Sequence, residues 1–304
     1  MSSQKVTDQE VKWAIEREGG VRPAARALGV HHSTVQAHIR TSQLHPGRLE
    51  HRIEDGCILV GSDAHIWPGD PTTAMRGFRW AISQLAPQVI VLNGDVLDCA
   101  TNSRYPGIGW ESKPTLADEL RAAQAQLADI EQLKTISGRL VWTLGNHDLR
   151  FETRLASVAP EYRDIQGIHL KDHFPAWEPA WSLWVNPGPG NHPLVVKHRF
   201  KGGINAPRNN TLHAGVSVAT GHLHSLRVSP YSDYWGTRYG VDTGTLARPY
   251  GPQFTNYTED NPVDWRAGFA VFTWAGGRLL MPELAQVHDE ERGLIEFRGE
   301  LHKV

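Results

Sequence analysis

Cysteine is nearly absent from the chain, with only Cys57 and Cys99 among 304 residues. That excludes a disulfide framework and leaves a thiolate-based zinc site without enough ligands. Net charge is small as well, 31 Lys and Arg against 33 Asp and Glu, and with 40% hydrophobic residues the chain is no disordered polyelectrolyte. Long apolar runs are missing. Runs such as Ile58 to Val60 and Val89 to Leu92 fall far short of the ~18 residues needed to cross a bilayer. Because the opening MSSQKVTDQE is polar, neither a signal peptide nor a membrane anchor is expected, and the cysteine usage points to a reducing, cytoplasmic setting. Histidine, in contrast, is plentiful, with 16 copies. Any metal or acid/base site must therefore be built from imidazole and carboxylate.

At ~150 residues per domain, the length suggests about two domains. The charge is uneven in the same sense: the first 52 residues carry eight Lys and Arg against five Asp and Glu, a mildly basic segment on a mildly acidic body. Thr7 with Glu10 reads as a capping box, and Val11, Ala14 and Ile15 follow at helical spacing until Gly19-Gly20. A second short helix carries Ala24, Ala25 and Leu28, and Gly29 closes it. A third places Val35 and Ile39 four apart. The string from Gly20 to Val35 resembles homeodomain-like helix-turn-helix segments of the Fis type. That resemblance implies a DNA-binding module over residues 1–45, with His31, His32, Ser33, Thr34, Gln36 and Arg40 as groove or phosphate contacts. A helical bundle used only for docking is the alternative. Residues 46–56 lack a sustained apolar period and read as a linker.

From Cys57 the pattern changes. Ile58-Leu59-Val60 has no polar alternation, as expected of a strand covered on both faces, and it runs into Asp63-Ala64-His65. Val89 to Leu92 empties into Gly94-Asp95-Val96-Leu97-Asp98, and Leu140 to Leu144 into Gly145-Asn146-His147-Asp148. Helical periods between these runs (Ala74, Phe78, Ile82; then Leu116, Leu120, Ala123, Leu127, Ile130) predict parallel strands with crossover helices and a site at the strands' carboxyl ends. Leu194 to Lys197 ends at His198, and Val216 to Ala219 leads to Gly221-His222-Leu223-His224. Alternation with period two puts both ligands of Asp-x-His or His-x-His on one face. Beyond residue 225, polar-apolar alternation suggests antiparallel strands and a hairpin around Gly276-Gly277.

The ordered set Asp63-x-His65, Gly94-Asp95-x-x-Asp98, Gly145-Asn146-His147-Asp148, His198 and Gly221-His222-x-His224 resembles the calcineurin-like metallophosphoesterase superfamily. The resemblance spans residues 57 to about 225, and the whole, with its domain pairing, resembles phage or prophage-encoded members. It implies an α/β fold over residues 57–304, a two-sheet β-sandwich flanked by helices, beside the small all-α N-terminal domain, with Thr243-Gly244-Thr245 in the last core strand. It further implies two divalent transition metal ions, manganese first, with iron, zinc, nickel or cobalt as alternatives. Asp63, His65, Asp95 and His224 would hold one ion and Asp95, Asn146, His198 and His222 the other. A metal-bridging hydroxide would attack phosphorus, His147 would bind phosphate or protonate the leaving group, Asp148 would orient His147, and Asp98 would support a ligand histidine. Where protein Ser/Thr phosphatases of this superfamily carry a phosphate-clamping arginine, this chain has Cys99-Ala100, which speaks against phosphoprotein substrates. Substitute cations are Arg150, Arg199 and Lys201. The expected activity is a phosphodiesterase or nuclease acting on DNA or a nucleotide-type substrate, with no membrane partner and a homo-oligomer admissible. A phosphomonoesterase or cyclic-nucleotide phosphodiesterase, its helices used for targeting or oligomerisation, is one alternative. A DNA-binding regulator with a non-catalytic metal site is another.

Overall fold

The computed structural model describes residues 6–36, 38, 47–104, 110–135, 138–188, 192–259 and 261–304. The chain divides into two compact units, Met1–Gly47 and Arg48–Val304. In the first, α1 (Asp8–Glu18) opens on the expected capping box. Thr7 Oγ1 accepts from Glu10 N at 3.3 Å while the Glu10 carboxylate accepts from Thr7 N at 2.8 Å. Gly19 ends the helix at φ 71°, α2 (Val21–Ala27) follows, and helical backbone resumes over 32–36. Val11, Ala25 and Val35 form a small core. His31, His32, Ser33 and Gln36 are exposed and Thr34 is half-buried, whereas Arg40 lies outside the described residues.

The second unit is a sandwich of two mixed sheets. One sheet runs through β1 (Arg48–His51), β6 (Ser182–Val185), β7 (Leu194–Val196), β8 (Ser217–Thr220), β10 (Gly236–Asp242) and β9 (Arg227–Asp233), in that spatial order. The other has β2 (Gly56–Gly61), β3 (Val89–Leu92), β4 (Arg139–Thr143) and β5 (Glu178–Ala180) side by side and parallel. It continues antiparallel from β2 through β11 (Gly268–Ala275), β13 (Glu283–Asp289), β14 (Leu294–Phe297) and β15 (Glu300–Lys303), with β12 (Arg278–Leu279) paired to β11. Helices α3 (Thr73–Leu85) and α4 (Leu116–Leu133) make the crossovers. Ile58, Val60, Val89, Val91 and Val141 face the other sheet, meeting Leu183, Val196, Ala219 and Val241. The intervening Leu59, Ile90, Leu92 and Leu140 face the helices, meeting Phe78, Ile82, Leu127 and Ile130. The apolar runs lack polar alternation because both faces of these strands are covered.

Two expectations need correction. Within residues 46–56, expected to be a linker, residues 48–51 form β1, paired in parallel with β6, and Ile53 is buried in the sandwich core. An edge strand pairs on one side only, so its half-exposed pattern carries little apolar signal. Residues 243–245 lie beyond the end of β10 and outside any strand, with one bridge from Thr245 to Ala267. Among the described residues, no helix is long and apolar enough to cross a membrane.

Candidate metal centre

The motif residues follow the carboxyl ends of β2, β3, β4, β7 and β8, and the backbone ladder continues past the strands to hold the loops together. Asp63 N donates to Gly94 O at 2.9 Å, His65 N to Asp95 O at 2.9 Å and Ile66 N to Val96 O at 2.8 Å. Asp63, His65, Asp95, His222 and His224 all have positive φ, between 38° and 70°. For residues bearing a Cβ this conformation costs of order 1 kcal/mol or more and persists where the surroundings impose it. Close backbone approach explains two of the motif glycines: a Cβ on Gly145 would lie 2.1 Å from Asp95 Oδ1, and one on Gly221 2.5 Å from Asp63 Oδ2.

Three groups of donor atoms converge, each within 4.8 Å: Asp63 with His65 and His224, His65 with Asp95 and His147, and Asp95 with His198 and His222. His65 and Asp95 therefore link one group to the next. Asp63 Oδ1 is 3.1 Å from His224 Nε2, and Asp63 Oδ2 accepts from His222 N at 2.8 Å. Asp95 Oδ1 accepts from His147 N at 2.7 Å, while its Oδ2 is 3.1 Å from His198 Nε2. Two of the rings are tethered through their far nitrogens: His65 Nδ1 lies 2.9 Å from Asp98 Oδ1, and His198 Nδ1 lies 2.8 Å from Asn93 O. Such tethers fix ring orientation and tautomer in metal sites. Among the described residues, His65 Nε2 and Asn146 Oδ1 are left buried without hydrogen-bond partners. Bare burial costs ~1–3 kcal/mol for each, a cost that a cation accepting their lone pairs offsets. The donor set thus fits divalent metal ions.

The electrostatics agree. Burial works to raise the Asp95 carboxyl, but the charges of His198, His147 and His65 hold it far below the usual carboxylate range. Burial would lower His198, yet the Asp95 and Asp63 charges push it up to about 9. His147 is likewise held above its ordinary value, against burial, by Asp98 and Asp95.

The resemblance gave Asp148 the task of orienting His147, and here the structure differs. Asp98 Oδ1 lies 2.9 Å from His147 Nδ1, the same oxygen that holds His65. Asp148 instead accepts from Asp95 N, Val96 N, Leu97 N, Gly145 N and Trp142 Nε1, at 2.8 to 3.2 Å. These five donors saturate its buried carboxylate and lock the β3 and β4 loops to each other.

Sequence reasoning also missed Glu119, which is fully buried on α4 and accepts from Cys99 N at 2.6 Å and Ala100 N at 2.9 Å. It pins the residues that follow Asp98. The available signal was an acid on the apolar stripe of its own helix, one residue before Leu120. Of the three candidate phosphate cations, Arg150 reaches His147 Nε2 at 3.1 Å and Asp98 O at 3.2 Å. Arg199 and Lys201 line a cavity of about 620 Å³ beside His198 and His222. Lys201 Nζ sits 2.8 Å from His213 Nε2.

The family model for calcineurin-like phosphoesterases matches residues 58–239. Among solved structures, Vps29 from Entamoeba histolytica is similar at 14% identity and TM-score 0.43, over 82% of this chain and 99% of that one. YfcE, a phosphoesterase from E. coli, shows 14% identity and TM-score 0.36 over 74% and 97% of the two chains. The nuclease MPE of Pseudomonas putida shows 15% and 0.30 over 74% and 86%. No curated protein matches the chain in sequence. With the family match covering more than half of its length, the chain belongs to the calcineurin-like phosphoesterases, a family of metal-dependent phosphoester hydrolases.

Proposed function

We propose that the 48–304 unit is a two-metal phosphodiesterase acting on DNA or another nucleic-acid-derived phosphoester, and that the 1–47 unit binds DNA. The observation that carries the catalytic reading is the Asp95 carboxylate, placed between the His65 group and the His198–His222 group, with unpartnered donor atoms around it. Asp63, His65, Asp95 and His224 would hold one divalent ion, and Asp95, Asn146, His198 and His222 the other. Nitrogen and oxygen donors without thiolate suit manganese, with iron, zinc, nickel or cobalt as alternatives. When bound, such ions neutralise charge on the phosphoryl group and acidify water.

The chain's own residues supply the rest. His147 is the proton donor to the leaving oxygen: Asp98 holds its Nδ1, which leaves Nε2 as the working atom. Arg150 can only donate, so its contact with His147 Nε2 exists while that nitrogen is unprotonated. A proton on Nε2 breaks the contact and frees the guanidinium for a phosphate oxygen. Arg199 and Lys201 extend the positive surface along the neighbouring cavity.

Protein reconstituted with manganese should hydrolyse an aryl phosphodiester faster than an aryl phosphomonoester. Asp95→Ala should lower that rate at least ~100-fold, the scale of removing one electrostatic stabiliser. If none of the five metals supports turnover of either ester, or if Asp95→Ala matches the parent, the catalytic reading is wrong.

A further inference from the structure

The cavity beside His198 and His222 carries a feature that a metal centre does not require. Its wall combines the cations Lys197, Arg199 and Lys201 with two aromatic side chains, Trp181 and Phe200, and among the described residues no carboxylate lines it. Trp181 stands where the chain crosses from β5 in one sheet to β6 in the other; Phe200 follows His198 by two residues. Both rings are solvent-exposed, 42% and 43%. Lys197 Nζ lies 5.1 Å from the Phe200 ring centroid. Among the described residues, neither Lys197 nor Arg199 has a carboxylate within ion-pair distance.

Each half of this arrangement selects a different part of a ligand. Cations in such a cavity attract an anion, and three of them along one wall suit successive phosphates better than a single one. Exposed aromatic faces next to them offer stacking partners to planar rings. A duplex hides the faces of its bases within the helical stack, whereas an unpaired strand presents them. We propose that this cationic and aromatic shelf binds unpaired nucleotides adjoining the phosphate under attack, making single-stranded nucleic acid the preferred substrate. The proposal rests on the phosphodiesterase reading of the same centre, and it adds the strand state and the residues that select it.

The test uses the full chain loaded with manganese, with two readouts. The first is the affinity for a short fluorescent oligothymidylate, measured across salt concentrations. The second is the ratio of rates on the p-nitrophenyl ester of thymidine monophosphate and on ethyl p-nitrophenyl phosphate. Phe200→Ala and Trp181→Ala should each weaken oligothymidylate binding about tenfold, within the range of one lost base stack, and lower the ester ratio similarly. Phe200→Leu, which keeps an apolar side chain of similar bulk, should lose as much as Phe200→Ala; Phe200→Tyr should retain binding. Lys197→Gln should flatten the logarithmic salt dependence by about 0.7, the slope per phosphate contact on a single strand. Unchanged binding in both alanine variants would overturn the proposal. So would tighter binding by Phe200→Leu than by Phe200→Ala, or competition by polyglutamate as strong as by oligothymidylate. If no ester is turned over, the catalytic reading falls while the binding arm still decides the shelf.

Discussion

Asp98 and Glu119 show how single carboxylates govern this centre without being candidate ligands. Asp98 Oδ1 contacts Nδ1 of both His65 and His147 at 2.9 Å, so one oxygen orients both rings together. Glu119 holds the next two backbone amides. Burial pushes its carboxyl up to about 7, against the pull of the Ala100 and Cys99 N–H groups. In an unfolded chain a glutamate titrates near ~4.3, so the folded state binds this proton the more tightly. Stability from this group is therefore complete below about pH 4 and is lost as pH rises towards 7. The difference is on the order of 3 kcal/mol. Denaturant unfolding of the parent and of Glu119→Gln across that range should show a decline in the parent that is shallower in the variant. Parallel curves would mean that the Glu119 proton is not linked to folding.

At the level of elements, the crossover strands end in loops whose main chains touch one another's side chains. Gly145 is the sharpest case, because its backbone is not in the left-handed region and the space for its missing Cβ is filled by Asp95. Gly145→Ala should therefore act by contact alone, at the ~1–3 kcal/mol typical of overpacking. We expect manganese affinity to fall ~10-fold or more in equilibrium dialysis while far-UV circular dichroism stays unchanged; undiminished affinity would show that Asp95 can move without loss. The same elements explain what could be read in the sequence. β2, β3 and β4 were legible because strands buried on both faces are continuously apolar, and His65, Asp95, His198, His222 and His224 because each lies just past such a run. β1 was not, since the side chains of this edge strand are exposed or half-buried and carry no apolar run. Asp148 was misread because sequence adjacency to His147 says nothing about which atoms its carboxylate meets. Trp181 and Phe200 carry no motif at all, and only the cavity brings them together.

The whole molecule pairs a small helical unit with a sandwich that has its own core. The exposed His31, His32, Ser33 and Gln36 of the first unit carry no fixed charge, so the DNA binding proposed for this unit would have to draw on cations elsewhere. A 48–304 fragment should bind duplex DNA about tenfold more weakly than the full chain, with a shallower salt dependence. Equal affinity and slope would remove the DNA-binding role of residues 1–47.

The left-handed backbone at Asp63, His65, Asp95, His222 and His224, together with the main-chain amides of His147 and His222 that steer Asp95 and Asp63, bears on protein engineering. The information that shapes this centre is stored in loop conformation as much as in residue type. Transplanting the seven candidate ligands onto another scaffold would carry over the chemistry but lose the aim. A successful graft would have to import the strand-end loops whole, glycines and saturated Asp148 included.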